Sequence, residues 1–209
     1  SIDLQQRYAF TNQPIIAHWN LSRFAETLIP FFDSDEKKSL KIGENIINQF
    51  GEKFKSKWTE MMKKKLGLFG SVEGDDELIK KILNWMYENK ADYTNTFCYL
   101  MNDNSINHSI YNKISFVDIQ NQWKKRLEKN NIKKEISISL MKSSNPFFIP
   151  RNHNVENSIK NIVEENNFDL FYKLLKLLKD PYKNNDNSNS LKELPSLTFS
   201  NNYKTYCGT

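Results

Sequence analysis

Two cysteines, three histidines and a few acid pairs are the groups in this chain that could act as nucleophiles, metal ligands or proton carriers. Cys98 and Cys207 have no CxxC spacing, so neither a zinc site nor a disulfide framework is indicated, and reducing surroundings are the default. His18, His108 and His153 each lack a second His or Cys at i+3 or i+4, which a metal site on one helix would need. A Cys–His pair could be assembled only by folding, and nothing in the spacing selects one. Asp75-Asp76 and Glu164-Glu165 read as helix ends or exposed faces where carboxylates meet water, not as general acid and base. The six glycines are scattered and make neither GxGxxG nor GxxxxGK[ST], so no backbone cradle for phosphate is encoded. The expectation is therefore that this chain holds no catalytic, cofactor-binding or metal site of its own.

Three stretches are chemically richer than plain connectors. Arg7-Tyr8-Ala9-Phe10-Thr11-Asn12-Gln13-Pro14 runs into Trp19-Asn20-Leu21; Asn145 to His153 includes Arg151-Asn152; and Tyr203 to Thr209 carries Cys207. Non-helical segments this rich in polar and aromatic groups suggest docking, and Arg7, Tyr8, Gln13, Pro14, Trp19, Asn20, Arg151 and Asn152 are the candidate contacts.

The elements that would position these groups are helical throughout. Leu21, Phe24, Ala25 and Leu28 follow i, i+3, i+4, i+7, which predicts a buried helix from Pro14 to about Pro30. A second helix is expected from Asp33 or Ser34, bent near Gly43 or Gly51, to the turn at Gly67 to Gly70. Further helices are predicted from Asp75 or Asp76 with a Leu78, Ile82, Trp85, Met86 seam, and from Asp92 as a cap. Ser115 with Asp118 resembles a capping box, Asn152 or Asn154 is the expected cap of a later helix, and Phe171, Leu174, Leu175 and Leu178 form the last seam before Pro181. Residues 132 to 142 fit no single period. Pro146 and Pro150 keep their neighbours out of helix. All four tryptophans lie in these amphipathic helices, where core packing accounts for them better than base stacking. Residues 183–190, rich in Asn, Ser and Asp, read as a mobile linker.

Composition bounds the rest. A chain of 209 residues with 38% apolar content can bury an ordinary core, and it has no apolar run long enough to span a bilayer, so a soluble protein is expected. The 30 basic and 25 acidic side chains leave a formal +5, and the runs Lys63-Lys64-Lys65 and Lys124-Lys125-Arg126 sit among apolar helical residues as solvated faces do. Neither nucleic acid nor a membrane is the expected partner.

Several of these residues recur in a known pattern. Arg7 to Pro14 followed by Trp19-Asn20-Leu21-Ser22-Arg23-Phe24-Ala25 resembles the R-Y-x-x-x-x-Q-P…W-N-L-x-R-x-A signature of the selenoprotein O family. Asp92-Tyr93-Thr94-Asn95-Thr96-Phe97 resembles its D-Y-T-x-T-F, Asn145-Pro146 through Arg151-Asn152 its N-P-x-x-x-x-R-N, and Tyr203 to Thr209 the Y-x-T-x-C-G-T end of some bacterial members. The resemblance implies an all-α chain forming the helical C-terminal part of a protein kinase-like fold. Residues 1–32 would close the kinase-like C-lobe, 33–182 form the helical region and 183–209 a linker and Cys-containing tail. It further implies a pseudokinase that moves AMP from ATP to protein Ser, Thr or Tyr hydroxyls, with ATP and magnesium held by an N-terminal core that this sequence does not include. That core and the acceptor proteins would be the partners. Cys207 matches the place of the family's near-terminal selenocysteine or cysteine, and a redox role there is an expectation. The compartment would be cytoplasmic in a bacterium and mitochondrial in a eukaryote. The rival reading is a free-standing helical interaction module without catalytic activity. A piece of a larger fold should expose the apolar surface that the rest covers, and this feature separates the two.

Overall fold

The computed structural model describes residues 7, 9–101 and 109–203. Among them the regular structure is helical: α1 (Gln13–Phe32), α2 (Glu36–Asn48), α3 (Phe50–Lys65), α4 (Asp75–Glu88), α5 (Tyr93–Leu100), α6 (Ile114–Glu128), α7 (Lys134–Ser144), α8 (Asn152–Glu165), α9 (Asp169–Lys179) and α10 (Leu197–Asn202), with 3-10 turns between some of them. The chain divides into two compact units, residues 1–60 with 203–209, and residues 61–202.

In the first unit α1 and α2 form a helical hairpin. Pro14 sits at the second position of α1, where its missing N–H costs nothing. Asp35 opens α2 by accepting from the backbone N–H groups of Lys37 and Lys38 at 2.9 and 3.2 Å. The Ser39 hydroxyl donates to the Ile29 carbonyl, and Gly43 lets the Phe32 ring approach within 3.5 Å of where its Cβ would stand. His18 stacks on Phe50 with ring centroids 5.3 Å apart.

The first helix ends near Pro30 as expected, passing through it to Phe32 with one ladder bond missing at the proline. It is not the buried helix expected: α1 contains no buried residue, and Phe24 and Phe31 are 60% and 82% exposed. Of the predicted seam, Ala25 lies with Ser22 and Ile29 beside α2 and Leu28 is half-buried, while Leu21 and Phe24 are exposed, as is Phe31 one turn on. The periodicity marks a face that the described residues cover only in part. Trp19, expected in a core, is likewise exposed.

The second unit carries the core. Leu78, Ile79, Ile82, Trp85 and Met86 of α4, Phe97, Cys98 and Leu100 of α5 and Phe116 and Trp123 of α6 are all buried, and α4 packs on α6. Trp85 lies 4.4 Å from Phe116, and Tyr99 stacks on Tyr111 at 4.3 Å. Each such side chain contributes about 1.5–3 kcal/mol by leaving water. The indole N–H groups keep partners: Trp85 donates to the Ser115 hydroxyl at 3.0 Å and Trp123 to the Leu66 carbonyl at 2.8 Å. Ser115 thus serves the core and caps nothing; α6 starts at Ile114, and neither it nor α8, entered from Arg151, has a side-chain cap. The predicted single helix from 33 is two, α2 and α3, and the undecided stretch 132–142 is mostly α7.

Gly67 ends α3. Its φ of +68° turns the chain, the Leu68 N–H returns to the Lys63 carbonyl at 2.9 Å, and a Cβ there would stand 2.8 Å from the Ser137 carbonyl oxygen. Residues 183–190 are not a free linker: a 3-10 segment over Asp186–Lys192 buries Ser188, Leu191 and Lys192. The reason is remote in sequence, because Asn95 and Asn154 donate their side-chain amides to the Lys192 and Leu191 carbonyls, each at 3.2 Å.

Candidate functional site

The motif residues separate into two kinds of place. In the first unit the Arg7 guanidinium lies 4.6 Å from the Trp19 ring centroid and Arg23 lies 5.8 Å from the same ring, while Arg23 also pairs with Glu26 at 2.6 Å. Gln13, Trp19 and Asn20 are exposed and Pro14 half-buried, so this segment presents a cationic and aromatic surface. Tyr8 lies outside the described residues, as does Cys207.

In the second unit two motifs far apart in sequence meet. Asp92 caps α5 by accepting from the Asn95 backbone N–H at 2.8 Å, and the same carboxylate receives both terminal nitrogens of Arg151 at 2.9 Å. Arg151 also donates to the Asn95 side chain at 3.0 Å, and Asn95 passes the connection on to the Lys192 carbonyl. Arg151 is only 9% exposed, so its charge is spent inside the unit. Asn152, next to it, opens α8 on the surface. Burial works against the Asp92 carboxylate, but the hydrogen bonds and charge of Arg151 outweigh it and hold the group below the usual carboxylate range. Asn145, from the same motif as Arg151, donates to the carbonyls of Lys65 and Met141 at 2.8 and 2.9 Å and accepts from Lys65 Nζ at 3.2 Å.

A second buried ion pair was not foreseen. Asp75 receives Arg126 at 2.5 and 3.1 Å, with Lys63 at 3.5 Å, and Arg126 also reaches the Phe69 carbonyl and Asn130. Burial opposes the Asp75 charge here too, and Arg126 again holds it low. The reading of Asp75 as a water-exposed carboxylate and of Lys124-Lys125-Arg126 as a solvated run is corrected at these two residues. Lys65, from the other basic run, lies 5.4 and 5.2 Å from the Tyr93 and Phe97 ring centroids, and burial lowers its pKa.

These groups bind one another and leave little for a ligand. Among the described residues no group of three His, Cys, Asp or Glu could hold a metal ion. The buried Asp75 and the half-buried Asp92 are each paired with an arginine, so these carboxylates do not fit magnesium. Cys98 is fully buried and donates to the Pro146 carbonyl at 3.6 Å, as a small core side chain does. Burial and the positive charge of Arg151 push the His153 imidazole below its ordinary value. No helix of the described residues is long and apolar enough to cross a membrane.

The α1 surface and the Asp92–Arg151 clip are what the motifs build, and the motifs point to a class: a helical portion of a nucleotidyl-transferring protein family. The family model described as protein adenylyltransferase SelO matches residues 1–179, and the chain belongs to that family. It is 42% identical, over all 209 residues, to the protein nucleotidyltransferase YdiU of Pelagibacter ubique, and 40% identical over the same length to that of Clostridium beijerinckii. The YdiU of Halalkalibacterium halodurans is 39% identical over the whole chain. In each case the chain spans less than half of its relative, 43% in the first and 42% in the other two.

Proposed function

We propose that this chain is the helical C-terminal buttress of a protein adenylyltransferase with a kinase-like core, an enzyme that transfers AMP from ATP to Ser, Thr or Tyr hydroxyls of acceptor proteins. The residues that bind ATP and magnesium lie in the part of the relatives that this chain does not span. The α1 segment docks on that part, with Arg7, Tyr8, Gln13, Pro14, Trp19 and Asn20 at one end of the contact. One observation carries the reading: α1 has an apolar seam of two full heptads and no buried residue. An exposed patch of this kind is what a covering partner explains and what a free-standing module avoids. The bacterial relatives favour a cytoplasmic setting over a mitochondrial one.

The buttress contributes to catalysis by holding the core in place, because positioning and electrostatic stabilisation dominate phosphoryl-type transfer and these helices supply no phosphate clamp. The test uses ATP labelled in the α-phosphate. A protein expressed from the complete reading frame should label an acceptor, whereas residues 1–209 alone should not. Phe24→Asp with Leu28→Asp in the complete protein should lower labelling, whereas the same pair in residues 1–209 should leave its thermal transition unchanged. Label transfer by residues 1–209 alone would overturn the assignment.

A further inference from the structure

The α8–α9 hairpin carries a second apolar stripe, in a different unit from α1. Phe168, Phe171, Tyr172 and Leu175 recur at i, i+3, i+4, i+7 and all are exposed, Tyr172 at 63%. Leu174 and Leu177 form the inward face of α9, so Phe171 and Leu175 of the expected last seam are turned outward. The Phe168 and Phe171 ring centroids stand 6.2 and 5.5 Å from that of Tyr172, so the exposed rings make one patch.

The charge on α9 is one-sided. Asp169 is its single acid, against Lys173, Lys176 and Lys179. Lys176 follows Tyr172 by one turn, and Lys179 follows Leu175 by one turn, which sets both at the border of the patch. All three lysines are exposed, and among the described residues none is paired with a carboxylate. Rings at the centre and charge at the edge are the make-up of a protein–protein contact. Three bases against one acid call for an acidic matching surface, which a second α9 is not, since it would bring lysine mostly to lysine.

The covering surface therefore lies outside the described helices. The chain spans 43% and 42% of the relatives from Pelagibacter ubique and Clostridium beijerinckii, and the family match runs through residue 179, the last of α9. The patch thus belongs to the portion shared with proteins more than twice as long. We infer that it is a docking surface for the part of the protein that this chain does not span, and that the surface it meets there is apolar with carboxylates set against Lys176 and Lys179. The inference rests on the reading of this chain as one portion of a longer enzyme, and it adds a contact in the second unit to the one made by α1.

The test uses the protein expressed from the complete reading frame. In hydroxyl-radical footprinting, Tyr172 should be modified about tenfold more slowly in the folded protein than in the denatured one, because the centre of a contact is dry. That protection should be the same at nanomolar and micromolar protein. A zero-length carbodiimide should join Lys176 or Lys179 to an Asp or Glu outside residues 1–209. Modification of Tyr172 within about twofold of its denatured rate, as 63% exposure alone allows, would overturn the inference. Protection that grows with protein concentration would do the same by revealing a second copy, and protection that needs added phosphatidylglycerol vesicles by revealing a membrane. Cross-links of these lysines confined to residues 1–209 would also overturn it. AMP transfer is scored on the same preparation. A protected Tyr172 without transfer would sink the adenylyltransferase reading alone, and an open Tyr172 with transfer would sink the docking inference alone.

Discussion

The α1–α2 hairpin and the bundle around Phe97 are made from similar helical sequence, yet one leaves its best apolar seam in water and the other buries nearly all of its own. In the bundle, rings and aliphatic chains from α3 to α7 close over one another, and the polar groups caught inside are paired: Asp92 with Arg151, Asp75 with Arg126, Trp123 with the Leu66 carbonyl. In the hairpin only Ser39 and Gly43 are buried, and both serve the contact between α1 and α2. The difference shows that amphipathic periodicity reports a surface that wants a partner, not that the partner lies within the same stretch of chain. An internally satisfied motif such as Asp92 to Phe97 serves the fold, while Gln13, Trp19 and Asn20 of the first motif face outward.

The comparison can be broken most sharply in the bundle. Phe97→Ala removes a ring that is 1% exposed, and it should cost about 3–5 kcal/mol in a denaturant titration of the second unit. Asp92→Ala strands the buried Arg151 charge and removes the α5 cap, with an expected loss of about 3 kcal/mol. Replacing both partners, Asp92→Leu with Arg151→Met, should recover most of that loss. Failure to recover it would mean that the pair contributes more than charge balance. Gly67→Ala forces a left-handed φ on a residue whose Cβ would meet the Ser137 carbonyl, and should cost about 1–3 kcal/mol, read as a lower melting temperature.

Acid provides a milder probe of the same contrast. Asp75 and Asp92 have folded pKa values below their ordinary 3.8, so the unfolded chain binds protons first as the pH falls. Stability from these pairs is fully present well above 3.8 and should be lost progressively below it, through the depressed folded values. Asp92→Asn should flatten this acid limb in a series of melts, whereas hairpin substitutions should leave it unaltered. The smallest effect is expected at Phe24→Ala, within about 0.5 kcal/mol for residues 1–209, because the ring makes so little contact there. A loss comparable to that at Phe97 would show that α1 is covered after all.

Much of this organisation was legible in the residues. The α4 seam, the Asp92 cap, the turn at Gly67 and the non-helical run between Pro146 and Pro150 follow from local chemistry and stand where local chemistry puts them. The family is legible too, since its motifs are runs of neighbouring residues. The 3-10 segment at Asp186–Lys192 was not, because what orders it are amides of Asn95 and Asn154, and polar composition alone reads as disorder. Arg126 was hidden in a basic run whose other members are exposed.

The sequence by itself determined the helical class, most helix positions and the family, because these depend on spacing and capping over a few residues. Only the tertiary structure decided which apolar faces are buried and which charges are paired. A period of 3.6 names a face without naming its neighbour, and a carboxylate meets its arginine only when the chain has brought positions 59 residues apart into contact.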